Sequence, residues 1–187
     1  MNALAKPKMT GDEFLAWAEG HEGRWELADG VPVCMSLERV AHVETKFSVG
    51  SALKGAIKQA GPRCEAFVDG LAIRVDKYKT FQADVIVNCG DRLSPDVMEA
   101  PNPVAVVEIL SPSTRATDLG LKVSRYFEIP SIQHYLILSP DSRSVVHHAR
   151  GQGDVLLTRI VNEGVLHLDP PGFSVEVRSL FPEPYED

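Results

Sequence analysis

The stretch PVAVVEIL at residues 103–110 is apolar except for Glu108, and the turn-forming segment SPST follows it at residues 111–114. An apolar run of this length, bounded by turn residues, is typical of a strand buried on both faces of a sheet. Three short β-rich segments precede it, at residues 63–68, 71–75 and 83–87. We expect these four segments to form the mixed central sheet of an α/β (α+β) fold, flanked by helices and additional β-hairpins.

Clear local signals surround the N-terminal half of this sheet. Thr10 and Glu13 have the spacing of a capping box, which predicts the start of a short amphipathic helix. In RWELADGVPVCM, residues 24–35, an AspGly pair separates two β-rich runs and predicts a hairpin. Apolar residues then recur at roughly helical spacing over residues 41–60, and GlyPro at 61–62 ends this longest helix.

A strand–loop–helix unit follows the apolar strand. Thr117 or Asp118 can cap a helix that carries Lys122 and Tyr126 and ends near Pro130. Further strands are predicted after it, at residues 134–138, 144–149, 155–161 and 165–168.

Length, composition and charge exclude several classes of protein. A chain of 187 residues with 44% apolar and 24% charged residues is typical of one globular domain and not of a disordered, collagen-like or coiled-coil protein. The formal charge of −7 argues against bulk electrostatic binding of nucleic acid. Residues 39–79 nevertheless contain eight basic and four acidic side chains, so a local basic cleft is compatible with the overall charge.

The N-terminus lacks the apolar core of a signal peptide, and no apolar run is long enough to cross a bilayer. Cys34, Cys64 and Cys89 are odd in number and lack CxxC spacing, so they suggest neither a disulfide framework nor a zinc site. We therefore expect a cytoplasmic protein. His147 and His148 are neighbours on a predicted strand and point to opposite faces, so we expect surface or edge residues rather than a metal site.

Three carboxylates lie in apolar sequence. They are Glu26 in WELA, Asp84 in ADVIV and Glu108 in VVEIL. An ionised carboxylate that leaves water costs several kcal/mol unless a cation, a metal or hydrogen-bond donors compensate it. Lys122, on the helix after the apolar strand, can fold back over the end of that strand to Glu108.

Such a group of residues suits hydrolysis of a phosphodiester. Two carboxylates can hold Mg²⁺ or Mn²⁺, the ion polarises the phosphate and activates a water, and a lysine orients that water or offsets charge. Oxygen ligands without a Cys/His cluster favour Mg²⁺ or Mn²⁺ over Zn²⁺. An acid in a strand is also often an edge or ion-paired residue, so the pattern alone leaves both interpretations open.

Several segments resemble, in the same order along the chain, the Uma-two family of restriction-endonuclease-like proteins, which belongs to the PD-(D/E)XK nuclease superfamily. The most specific part is EILSPST, at 108–114 within VVEILSPSTR at 106–115. The others are RWELADG at 24–30, His42, ADVIV at 83–87, DLGLK at 118–122, Tyr126 and HYLILSP at 134–140. The resemblance implies one nuclease-like domain over residues 1–187, with residues 1–9 and 183–187 as frayed tails.

The resemblance also assigns roles. Asp84 and Glu108 resemble the metal ligands, and the backbone carbonyl of Ile109 resembles a further ligand. Leu110 occupies the usual lysine position, and Lys122 resembles a lysine supplied instead from the following helix.

Other residues complete the expected site. Glu26 resembles the additional acid of many superfamily members, and His42 is expected to line the same cleft. Ser111, Arg115 and Arg125 are candidate phosphate contacts, with a loop turn and a solvated helix face as the alternatives.

The leading hypothesis is a metal-dependent endonuclease that hydrolyses DNA. The absence of a lysine at position 110 leaves open a nuclease-fold module that binds nucleic acid or protein without cutting it. A metal-dependent phosphohydrolase of small substrates is a third hypothesis. Because superfamily nucleases that cut both strands commonly need two sites, we expect a homodimer.

Overall fold

Two β-sheets and a separate hairpin form the framework of the protein in the computed structural model, which describes residues 8–111 and 120–184. The helices of this part are α1 (Gly11–Glu19), α2 (Val40–Ala60) and α3 (Lys122–Phe127), with a 3₁₀ turn at Val177–Leu180. The strands are β1 (Trp25–Ala28), β2 (Val31–Cys34), β3 (Cys64–Val68), β4 (Ala72–Asp76), β5 (Lys79–Gln82), β6 (Val85–Cys89), β7 (Pro103–Ile109), β8 (His134–Ser139), β9 (Ser144–Arg150), β10 (Leu156–Val161), β11 (Val165–Leu168) and β12 (Phe173–Glu176).

The larger sheet has six strands in the order β10-β9-β8-β7-β6-β3. Strands β7 and β8 run parallel, whereas their neighbours pair antiparallel, so the sheet is mixed as expected. Strand β7 is buried at all seven positions, which explains its nearly uninterrupted apolar sequence. It is the strand that carries Glu108.

The smaller sheet has the order β2-β1-β5-β4. The expectation that residues 71–75 belong to the central sheet is wrong, because the turn at residues 77–78 folds β4 back on β5 instead. Strand β5 was not evident in the sequence, since it has only four residues, KTFQ, and no alternation. The β1–β2 hairpin follows its AspGly turn as predicted.

Different elements cover the two faces of the larger sheet. Helix α2 packs Val49, Leu53 and Ile57 on the face that also carries Val107. The opposite face packs against the smaller sheet and against Tyr126 of α3. Glu108 is two residues from Val106 of this second face, so its side chain points toward α3 and the smaller sheet, whereas Asp84 lies just before β6 and contacts α2.

Helix boundaries agree with most of the local signals. Thr10 and Glu13 form the predicted capping box, and α2 ends at Gly61, whose φ of 82° is the left-handed conformation that glycine adopts readily. The predicted cap at Thr117 or Asp118 lies outside the described residues. None of the helices in the described ranges is long and apolar enough to cross a membrane.

The cysteines form a disulfide that their spacing did not suggest. Cys64 and Cys89 face each other in the register of β3 and β6, and their sulfurs are bonded. The 25-residue separation carries no disulfide signal, because the pairing arises only when the two strands align. Disulfides persist mainly in oxidising compartments, so the cysteines no longer support the expected cytoplasmic location, which stays a prediction. Cys34 is free and exposed.

A buried histidine pair corrects the expectation of a surface position for His147. His134 and His147 are 3% and 0% exposed, and His134 Nδ1 lies 2.9 Å from His147 Nε2. His134 Nε2 donates to the carbonyl of Pro170 at 2.8 Å, so its Nδ1 must accept from His147. Burial lowers the pKa of both rings, that of His147 to about 4.

Candidate active site

Glu108 is the centre of the first half of the site. Its carboxylate is buried near the end of β7. Lys122 Nζ donates to Glu108 Oε1 at 2.9 Å, and the Tyr126 hydroxyl donates to the same oxygen at 2.6 Å. Both donors lie on α3 one turn apart, so they face the strand together. The crossover helix thus returns a lysine to the buried acid, as the strand–loop–helix pattern predicts.

Tyr126 remains a hydrogen-bond donor in this environment. Burial and then the charge of Glu108 raise the pKa of its hydroxyl well above 10. A neutral phenol therefore holds the carboxylate in place beside the lysine.

Glu26 joins this half of the site from the smaller sheet. Its Oε1 accepts a hydrogen bond from the backbone amide of Gln82 at 3.1 Å. Lys122 Nζ lies 3.5 Å from the same oxygen. The lysine therefore bridges Glu26 and Glu108, two acids that belong to different sheets.

Asp84 forms the second half of the site, directly beside the first. It precedes β6, and continuing the register Val85↔Val107 places it opposite Glu108. The backbone amide of Ile109 donates to Asp84 Oδ2 at 2.7 Å. The antiparallel pairing of β6 and β7 thus explains why two acids 24 positions apart in the sequence meet.

Helix α2 supplies the other partners of Asp84. His42 Nε2 lies 3.1 Å from Asp84 Oδ1, and Lys46 Nζ lies 3.6 Å from it. Burial alone would raise the pKa of Asp84, but the hydrogen bond and charge of His42, the Ile109 amide and the charge of Lys46 together lower it. Asp84 is therefore held ionised although it is buried.

A network of charged side chains continues from Lys46 toward the surface. Lys46 Nζ donates to Asp69 at 2.8 and 3.0 Å and also contacts Glu38. Arg24 contacts Glu38 and lies 2.8 Å from Asp69. Ligand atoms of Glu38, His42 and Asp84 all lie within 4.8 Å of one another, a spacing that suits one cation.

Sequence reasoning missed Glu38, Lys46, Asp69, Arg24 and Tyr126 as members of the site. One signal was available: Glu38, His42 and Lys46 recur every four residues, so the histidine and the lysine share a face of α2. Arg24 and Asp69 carry no such signal, because they approach only through the tertiary fold.

The remaining predicted site residues either lie away from the acids or fall outside the described residues. Arg125 pairs with Glu128 on α3 at 2.8 Å, and no contact with the acids was found for it among the described residues. Ser111 directly follows the last residues of β7, and Arg115 lies outside the described residues. Ile109 contributes its amide to Asp84, whereas a ligand role for its carbonyl stays a prediction.

A mixed sheet with flanking helices and a lysine over a buried acid pair defines a protein of the restriction-endonuclease-like class. Residues 12–180 match the Uma2 family, described as "Putative restriction endonuclease". The match covers most of the chain, so the protein belongs to this family.

One relative and one solved structure are similar to this chain over most of its length. The chain is 28% identical over 177 residues to "Uncharacterized protein slr1290" of Synechocystis sp. (strain ATCC 27184 / PCC 6803 / Kazusa), covering 94% of this chain and 92% of that protein. It is similar in fold to the crystal structure of "a putative nuclease belonging to DUF820" from Anabaena variabilis ATCC 29413. The TM-score is 0.68 at 16% identity, over 92% of this chain and 97% of the other.

Proposed function

We propose that this protein is a metal-dependent endonuclease that hydrolyses phosphodiester bonds in DNA. The observation that carries the proposal is the contact of Lys122 Nζ with Glu108 Oε1 at 2.9 Å, beside Asp84, which directly precedes the neighbouring strand β6. A module that only bound nucleic acid would have no need to bury an acid and a lysine together, since each loses hydration there. This arrangement favours hydrolysis over the binding-only hypothesis.

The donor set fits a hard divalent cation. Asp84, Glu108 and the Ile109 carbonyl would hold Mg²⁺ or Mn²⁺, with His42 and Glu38 as further donors. Oxygen donors with a single imidazole suit these two ions. His42 supports this fit, because its Nε2 lies 3.1 Å from Asp84 Oδ1 and 3.7 Å from Glu38 Oε1. A bound ion would polarise the phosphate and lower the pKa of a coordinated water.

The side chains of the site would act around the scissile phosphate. Lys122, held by Glu26 and Glu108, would orient the attacking water and offset the charge that develops on the phosphate. Tyr126 would keep the Glu108 carboxylate in one orientation while Lys122 engages the substrate. Lys122 and Tyr126 each have a defined hydrogen-bond partner, so their positions are fixed before substrate binds.

DNA cleavage tests the proposal. Wild-type protein is incubated with supercoiled plasmid and Mg²⁺ or Mn²⁺, in parallel with Glu108→Gln and the control Glu163→Gln, which changes an exposed acid in the turn after β10. We expect nicking by the wild type and the control. Glu108→Gln should be slower by about 100-fold or more, because it loses charge at the proposed ion.

Thermal melting of each variant shows whether it is folded. Equal rates for wild type and folded Glu108→Gln would contradict the proposal. So would a wild type inactive on supercoiled, linear and single-stranded DNA with either ion.

A further inference from the structure

A group of apolar side chains lies exposed at the N-terminal end of α2. The group, which we call the α2 patch, consists of Leu37, Val40, Val43 and Phe47, exposed by 102, 68, 50 and 74%. The three helical members are spaced i, i+3 and i+7 and therefore lie on one side of the helix. Phe47 is the one aromatic residue among the strongly exposed large apolar residues of the described ranges.

The α2 patch belongs neither to the core nor to the charged network. Helix α2 turns Val49 and Leu53 into the core, and it turns His42 and Lys46 toward Asp84. The patch lies beside these two faces. Burying it would leave the interior of the protein unchanged.

We propose that the α2 patch is the contact surface of a homodimer, in which it packs on the same patch of a second copy. Its four side chains expose roughly 500 Å² of surface, and a standard interface buries about 800 Å² per partner, of which somewhat more than half is non-polar. The patch therefore supplies the apolar area of a stable interface. A two-fold axis suits the α2 patch, because it brings the same apolar surface of both copies together.

Charge favours a second copy over nucleic acid as the occupant. Directly beside the patch lie one basic and one acidic side chain, the exposed Arg39 and the partly exposed Glu44. This surface therefore has no excess of the Lys and Arg side chains through which nucleic-acid surfaces contact phosphates. The copies each carry a formal charge of −7 and repel one another at long range. Salt screens this repulsion, so the dimer should tighten as ionic strength rises, opposite to a complex with DNA.

A second exposed apolar region, on the edge strand β10, is a weaker alternative. Leu157 and Ile160 are 59 and 74% exposed, but an odd separation places them on opposite faces of the strand. They do not form one apolar surface. Ile160 has the same exposure as Phe47, which makes it a matched control.

Sedimentation equilibrium tests the interface without reference to catalysis, so this proposal and the nuclease proposal can fail separately. The wild type, Phe47→Glu and Ile160→Glu are compared at about 0.15 and 0.5 M salt. We expect wild type and Ile160→Glu at twice the 20.5 kDa chain mass, with tighter association at the higher salt. Phe47→Glu should raise the dimer dissociation constant about 100-fold or more, as loss of a central aromatic contact does.

A wild type that is monomeric at about 100 µM would overturn the proposal. So would a Phe47→Glu protein that is as dimeric as the wild type. Loss of the dimer in Ile160→Glu alone would also overturn it, because the contact would then lie on β10. Circular dichroism shows whether Phe47→Glu is folded. Val40→Glu, at another exposed position of the patch, gives the same test if it is not.

Discussion

Replacing His147 by glutamine should remove part of the acid sensitivity of the fold. In the native protein His147 donates to His134 and its Nδ1 faces Arg159 Nη2 at 3.4 Å. A proton added to the buried His147 would meet this guanidinium. Glutamine preserves a donor and an acceptor but does not titrate.

The size of the effect follows from the pKa of His147. Burial, then the neighbouring His134, lowers it from the ordinary 6.5 to about 4. The unfolded chain therefore takes up the proton first as the pH falls, and the native state loses stability below about pH 6.5. With about 1.4 kcal/mol per pH unit, the full loss is about 3.5 kcal/mol, of which about 2 kcal/mol falls between pH 7 and pH 5.

Urea unfolding at pH 7, 6 and 5 measures this loss. Between pH 7 and pH 5 the free energy of unfolding should fall by about 2 kcal/mol more in the wild type than in His147→Gln. His21→Gln, which changes an exposed histidine just after the end of α1, should behave as wild type. Because all three proteins share the same carboxylates, the differences isolate His147.

Parallel pH dependences for wild type and His147→Gln, within about 0.5 kcal/mol, would refute the reasoning. They would mean that His147 accepts a proton in the native state without cost. If His21→Gln instead lost as little stability on acidification as His147→Gln, the effect would be a general one of removing any histidine.

Three further changes test other parts of the structure. Lys46→Met should tighten Mn²⁺ binding about tenfold in calorimetry, because it removes a cation that competes for the acidic pocket; unchanged or weaker binding would contradict this. Tyr126→Phe should lower the free energy of unfolding by about 1–2 kcal/mol in urea, since it removes a buried hydrogen bond to a carboxylate; no loss would show that the bond contributes nothing. Replacing Cys64 and Cys89 by serine opens a closed loop spanning 25 positions and should cost about 3 kcal/mol, whereas Cys34→Ser should not; equal stabilities would contradict the bond.

Strong local patterns predicted most of the fold. The capping box, the AspGly turn and the apolar run of β7 each depend on nearby residues alone, and each appears in the structure. The placement of β4 failed for a physical reason. A five-residue strand carries little information about its partner, and here a short turn decided the pairing.

The candidate site was predictable where an acid lay in apolar sequence. Glu108 and Asp84 stood out because burial of a carboxylate needs a partner, and the structure supplies those partners. The contacts of Lys46 with Asp69, and of Asp69 with Arg24, were not predictable, because Asp69 and Arg24 have an ordinary charged-surface context in the sequence. Their association depends on long-range folding.

The parallel pairing of β7 and β8 has a consequence for comparing related chains. Parallel neighbours require a crossover, and the lysine over Glu108 comes from that crossover, 14 residues later in the sequence. The interval between acid and lysine is thus set by the length of the connection between β7 and α3 and not by the pleat of a strand. Insertions or deletions there can shift the residue number of the lysine while its amine stays in place. In divergent relatives the lysine should be sought on the inner face of the crossover helix, whatever its distance from the glutamate in an alignment.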